Sequence, residues 1–149
     1  MRVLVQKCTN ASVSYGKEEK EISQGLVLFV GFTLKDGLKE IEYLAKKVVN
    51  LRIFEDEQEI MNRSLFDVQG SVLSISQFTL YGDATKGNRP SYTKALPAGE
   101  AKKLYELWNL ELQKYVSVVD GFFGCDMKVS LINDGPTTIW LEKSFSEEK

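Results

Sequence analysis

Apolar residues recur along this chain in two distinct periods. Residues 2–8 are rich in aliphatic and β-branched side chains and predict a strand. Residues 11–15 predict a second short strand, with Val13 and Tyr15 on one face, and residues 17–21 a charged hairpin tip. Residues 25–31, Gly-Leu-Val-Leu-Phe-Val-Gly, form an unbroken apolar run between glycines, the pattern of a strand covered on both faces. The period then changes. Leu38, Ile41, Leu44, Ala45 and Val48 recur at helical spacing behind Asp36, which is placed to cap the helix. Glu40 and Glu42 near its start and Lys46 and Lys47 near its end suit the helix dipole. A short strand at 51–54, an acidic loop at 55–59 and a turn at 67–70 lead to a strand over 71–78. Pro97 opens a second helix whose stripe is Ala101, Leu104, Tyr105, Trp108, Leu112 and Tyr115. After a glycine-flanked loop at 121–124 come two final strands, 127–132 and 138–142, and a charged, frayed tail from residue 144. The pattern describes one α+β domain over residues 1–149, with seven or eight strands and two helices.

Composition narrows the chemistry. Hydrophobic content of 43% and charged content of 27% are those of a soluble globular protein, and no apolar run approaches a bilayer span. The first residues lack the apolar core of a signal peptide, since Gln6 and Lys7 interrupt them, so a cytoplasmic location is expected. Two cysteines are too few for a disulfide framework, and Cys125 reads as a buried, inert thiol. The chain has no histidine, which excludes a Ser-His-Asp triad, a Cys-His dyad and a His-ligated zinc. An enzyme built from these residues must use carboxylates, hydroxyls, lysines, backbone dipoles or groups on its substrate. The net charge of −2 attracts no nucleic acid globally, but a local basic patch remains open.

Three stretches carry candidate chemistry. Ser76-Gln77-Phe78-Thr79-Leu80 ends a strand in hydroxyls and an amide, which a strand end also uses to satisfy its own backbone. Residues 81–97 form a long connection holding Lys86, Arg89 and Lys94 with Tyr81 and Tyr92 among them, and Lys102 and Lys103 follow. Cations interleaved with aromatics suit phosphates and a stacked base. Asn133-Asp134-Gly135-Pro136 is a turn sequence between two strands, and X–Pro bonds are the ones for which the cis isomer is accessible.

Taken together, these stretches resemble the D-aminoacyl-tRNA deacylases. Ser76-Gln77-Phe78-Thr79-Leu80 is similar to that family's SQFTL motif, and Gly135-Pro136 to its Gly-cis-Pro motif. The likeness also covers 50–54, 86–92 and 123–127 in the family's order. The resemblance implies mostly antiparallel sheets forming a barrel-like core with two main helices. It implies hydrolysis of D-aminoacyl-tRNA by a homodimer, with no metal and no organic cofactor. Ser76, Gln77, Phe78 and Thr79 would form the catalytic side of the site, and Gly135 and Pro136 would reach it from the other subunit. Met127 and Phe123 would line the pocket, and Lys86, Arg89 and Lys94 would meet the tRNA. Two residues depart from the family pattern. Thr137 stands where Val is usual, exposing one hydroxyl, and Lys7 stands where Arg is usual, with looser bracing of the Gly-Pro turn expected.

The mechanism this implies is RNA-assisted. With no histidine as general base, the vicinal ribose 2′-hydroxyl would help activate water while backbone N–H groups stabilise the oxyanion. Thr79 then positions rather than attacks. Selection for D-amino acids would be steric, and would admit a glycyl ester. The competing class is a non-catalytic RNA-binding module, which turnover of an aminoacyl-tRNA ester would separate.

Overall fold

The computed structural model of the protein describes residues 1–145. Eight strands and three helices alternate along it. The long first strand, β1 (Arg2–Tyr15), is the spine of the main sheet. Its first half pairs antiparallel with β3 (Gly25–Gly31) and its second half with β2 (Glu18–Ile22). Along its other edge the whole of β1 pairs antiparallel with the last strand, β8 (Lys128–Glu142). From β3 the sheet continues in parallel through β6 (Ser71–Ser76) to β7 (Ser117–Asp120). Parallel neighbours need long crossovers. Here the crossovers carry α1 (Leu38–Asn50) and α3 (Ala98–Gln113), which pack together. A small hairpin, β4 (Phe54–Glu55) with β5 (Met61–Arg63), and one turn of helix, α2 (Leu65–Val68), lie within the first crossover.

Strand alternation sorts the core onto two faces. Leu26, Leu28 and Val30 of β3 join Val3, Val5 and Val72 against Ile41, Leu44 and Val48 of α1 and Tyr105, Trp108 and Leu112 of α3. Val27 faces the other way, with Ala11, Val13, Ile22, Leu73 and Ile75, inside the curl of a nearly closed, barrel-like sheet. That two-sided burial is why β3 is a continuous apolar run.

The long strands merge what the pattern divides. Residues 2–15 form one strand, because β1 keeps a partner on each edge past Cys8. Residues 128–142 are likewise one strand running through the Gly-Pro motif, which is a bulge within it rather than a turn between two strands. β6 stops at Ser76, two residues before the expected end, and the chain tightens into a 3-10 turn, Phe78–Tyr81. Gly37, not Asp36, caps α1. Asp36 instead accepts from the Thr33 N–H at 2.8 Å and the Met1 ammonium at 3.0 Å. Leu38 is exposed at the helix start, and Tyr115 lies beyond the end of α3. The tail departs as well: the Phe145 ring packs edge-on against Tyr43 and its N–H reaches Glu40 at 3.2 Å. The rest of the expected tail, 146–149, lies outside the described residues.

Close packing of β3 on β6 makes one glycine indispensable. A Cβ at Gly25 would lie 1.8 Å from the Ser71 carbonyl oxygen, an overlap with backbone that no rotamer relieves. Gly25→Ala should therefore destabilise the fold by about 3 kcal/mol or more, as core overpacking does at its upper end. Urea denaturation followed by circular dichroism measures this, and an unchanged midpoint contradicts the packing described.

Candidate active site

A cavity of about 720 Å³ opens where β6 ends, between the 3-10 turn, the start of α3 and the loop before β8. Ser76, Gln77 and Phe78 line one side, and Phe123, Cys125, Asp126 and Met127 another. The structure therefore brings together five residues expected at the site from distant parts of the chain. Thr79 follows on the exposed face of the 3-10 turn, outside the cavity lining, and its hydroxyl accepts from Gln77 Nε2.

Each wall is held by backbone. Gln77 N–H extends the β3–β6 ladder one bond beyond the strand, to the Val30 carbonyl at 2.7 Å. Phe78 and Thr79 head the 3-10 turn, so their N–H groups have no acceptor within it. The far end of that turn is fixed by Arg2, whose guanidinium donates to the Leu80 carbonyl at 2.8 Å and lies 4.3 Å from the Tyr81 ring centroid. The opposite wall hangs on Tyr105 of α3. Its hydroxyl donates to the Ser74 carbonyl at 2.7 Å and accepts from the Gly121 N–H at 3.1 Å. Its ring also packs against Phe123 with centroids 5.7 Å apart. Burial pushes the Tyr105 phenol above its ordinary range. Met127 closes the loop by accepting the Phe122 N–H at Sδ, 3.2 Å away. Arg2 and Tyr105 escape sequence reading because both act through backbone atoms of distant elements.

The two cysteines differ. Cys8 is buried in β1, and desolvation raises its thiol to about 11. Cys125, expected to be buried, is only half-buried and lines the cavity, because Gly124 at φ 72° turns the chain beneath it. Among the described residues no cluster of three or more metal-ligating side chains occurs.

Gly135 and Pro136 lie elsewhere. β1 and β8 pair at Gln6 with Thr138 and at Cys8 with Asn133, so residues 134–137 bow out opposite the single residue Lys7. The Gly135–Pro136 peptide is cis, and Gly135 has φ 128°. Asn133 clasps the bulge, accepting the Thr137 N–H at 2.7 Å and donating to Thr138 Oγ1 at 2.9 Å. Thr137 is buried rather than exposed, its hydroxyl where a Cβ on residue 135 would come within 2.5 Å. Lys7 is buried too, but its ammonium donates to the Ile53 carbonyl at 3.0 Å, and Asn133 does the bracing. Six positions of strand, ~20 Å, carry the chain from Met127 to Asn133, and the bulge does not line the cavity.

The basic connection is stapled at its base by reciprocal backbone hydrogen bonds between Asp83 and Ser91, both 2.8 Å. The Asp83 carboxylate, held below its ordinary range by hydrogen bonds from Thr85, lies 3.9 Å from the Lys94 ammonium. Lys86 and Arg89 are exposed at the tip and Lys94 at the base.

Fold and site together define a compact α+β domain with a histidine-free cavity. Residues 4–142 match the family described as D-Tyr-tRNA(Tyr) deacylase. Proteins named D-aminoacyl-tRNA deacylase are 55% identical in Bacillus licheniformis and 52% in Listeria monocytogenes, each over 95% of this chain. These matches cover 98% and 96% of the relatives themselves. A solved structure titled c-Myc DNA Unwinding Element Binding Protein superposes with TM-score 0.92 at 39% identity, covering 97% of this chain and 99% of that one. A structure described as a probable eukaryotic D-amino acid tRNA deacylase shares the fold, with TM-score 0.81 at 15% identity over 94% of this chain and 97% of that one. This chain belongs to the D-Tyr-tRNA(Tyr) deacylase family.

The Asn133 clasp yields a direct prediction. Asn133→Ala removes two hydrogen bonds at the bulge, one of them from the N–H of buried Thr137, so global stability should fall by about 1–3 kcal/mol. If the bulge serves the site, hydrolytic activity should fall by at least ~10-fold at a temperature where the variant remains folded. Thermal unfolding and steady-state assays separate the two effects.

Proposed function

We propose that the protein hydrolyses the ester joining a D-amino acid to the 3′ end of tRNA, releasing D-amino acid and tRNA with a free terminal hydroxyl. Family membership supports the reaction class. The observation that carries the reading is the convergence of Ser76, Gln77 and Phe78 with Phe123 and Met127 on one cavity. Phe123 and Met127 offer an aromatic and a thioether surface for the terminal adenosine. The N–H groups at the head of the 3-10 turn are donors for the developing oxyanion. With no histidine in the chain, the vicinal 2′-hydroxyl of the substrate assists the attacking water, and Thr79 positions through Gln77. Lys86, Arg89 and Lys94 meet backbone phosphates as exposed cations.

The chiral element is the Gly135-Pro136 bulge of a second subunit, and the functional unit is a C2 homodimer. The bulge projects from β8, which pairs only with β1 among the described residues and exposes Ile132 and Trp140 on either side of the motif. Unpaired strand edge and exposed aromatic surface are features that a partner subunit covers. The bulge offers backbone carbonyls, and residue 135 has no side chain in front of them. An L side chain would meet that backbone, a D side chain would point away from it, and glycine has nothing to collide. In keeping with a cytoplasmic enzyme, no described helix is long and apolar enough to cross a membrane.

The test is deacylation of D-alanyl-, glycyl- and L-alanyl-tRNA at equal, low enzyme concentration. D-alanyl and glycyl esters should be cleaved within ~10-fold of each other, since the missing methyl contact costs about 1 kcal/mol. The L-alanyl ester should be slower by ~100-fold or more. Glycyl-tRNA spared as fully as L-alanyl-tRNA contradicts the steric wall, and binding without turnover favours an RNA-binding module. In the same assay Thr79→Ala should keep an appreciable rate, and an acyl-enzyme trapped on Thr79 overturns the RNA-assisted mechanism.

A further inference from the structure

The rim of the cavity carries an aromatic pair that neither the adenosine pocket nor the chiral element uses. Phe78 and Tyr92 meet edge to face, with centroids 5.1 Å apart and planes at 68°. Both line the cavity, yet they are 55% and 41% exposed. An edge-on pair leaves ring face open to a third ring. Neither residue belongs to the Phe123–Tyr105 contact that anchors the opposite wall.

The pair is held in place although it is exposed. A Cβ at Gly82 would come within 3.0 Å of Tyr92 Cε1, so the Tyr92 ring lies directly against the Gly82 backbone. The Asp83–Ser91 staple precedes Tyr92, and the Ala95 N–H bonds to its carbonyl at 3.1 Å. On the other side, Phe78 heads the 3-10 turn that Arg2 pins through Leu80. Such preorganisation lowers the entropic cost of receiving a ligand. The same connection carries exposed cations, with Lys86 and Arg89 at its tip and Lys94 at its base beside the Asp83 carboxylate. Aromatic surface and exposed cations on one connection are the chemistry that takes single-stranded nucleic acid, with bases stacking and phosphates paired.

We propose that Phe78 and Tyr92 form a second base-binding subsite, which stacks the nucleobase immediately 5′ of the terminal adenosine. The inference rests on the deacylase reading and deepens it. Recognition by stacking is tolerant of base identity but demands that a base be present. The subsite therefore recognises a single-stranded 3′ end at least two nucleotides long, rather than an isolated aminoacyl-adenosine.

The test compares three D-alanyl esters: adenosine, the dinucleotide CpA, and an analogue of CpA whose 5′ nucleotide is abasic. The phosphate is common to the last two, so their difference isolates the base. Wild-type enzyme should show a KM about 5- to 100-fold lower for the CpA ester than for the abasic one, the range of one base–aromatic stack, with similar kcat. Tyr92→Ala should bring that ratio close to one, and Tyr92→Phe should preserve it. Equal KM values for CpA and abasic esters in wild type, or a ratio that survives Tyr92→Ala, overturn the subsite. Wild-type failure to cleave any of the three overturns the deacylase reading beneath it.

Discussion

The double pairing of β1 is the constraint on which the rest of the molecule depends. One strand is bonded along one edge to β3 and β2 and along the other to β8, so it fixes the curl of the sheet and the direction of every neighbour. The irregularities in its pairing with β8 fall between Gln6, Cys8 and Ala11. At the first of them four residues of β8 face one of β1, and the surplus is expelled as the Gly135-Pro136 bulge. A bulge in a paired strand is held by the ladder on both sides, which a free loop is not. The same sheet, followed in parallel through β6, ends at Ser76 and delivers the cavity on a different part of the surface. One piece of backbone pairing thus sets both halves of the proposed site and keeps them apart within the chain.

Sequence reading recovered what alternation and composition encode. β3, the buried face of α1 and the stripe of α3 follow from apolar spacing, and the absence of histidine limited the chemistry before any geometry was known. Ser76-Gln77-Phe78 and Phe123–Met127 could be grouped through a family resemblance, and the fold places them on one cavity. What was not legible depends on contacts between distant backbone atoms. Asn133 reads as one more turn-forming residue, yet its amide spans the bulge. Lys7 reads as a possible brace for that bulge, but its ammonium is directed to the Ile53 carbonyl. The 3-10 turn after Ser76 has no periodicity to betray it, and Ser71 to Leu80 therefore reads as a longer strand. β7 and α2, four residues each, are too short to show a period at all.

The proposed chemistry follows from the absence of histidine and the backbone groups at the cavity. Phe78 and Thr79 head a tight turn that offers no acceptor to their N–H groups, while the exposed bulge on β8 carries a glycine with no side chain at its centre. In the proposed reading, donors for the oxyanion and acceptors for chiral exclusion are divided between these two elements, and a second subunit would bring them together. Under that proposal, placing both functions on backbone would make selection indifferent to which D side chain is bound, because the surface that discriminates is one every peptide carries.

Subunit mixing tests that division most directly. One variant carries a lesion in the bulge, Gly135→Leu, and the other a lesion in the cavity, Ser76→Trp. Each alone is expected to be inactive. If the bulge of one subunit completes the cavity of the other, each mixed dimer holds one intact site and one doubly damaged site. Unfolding and refolding an equimolar mixture should then recover about a quarter of wild-type D-alanyl-tRNA deacylation, from random pairing of two chains in a C2 dimer. No recovery, with mixed dimers shown to have formed, means that bulge and cavity act within one chain and contradicts the account.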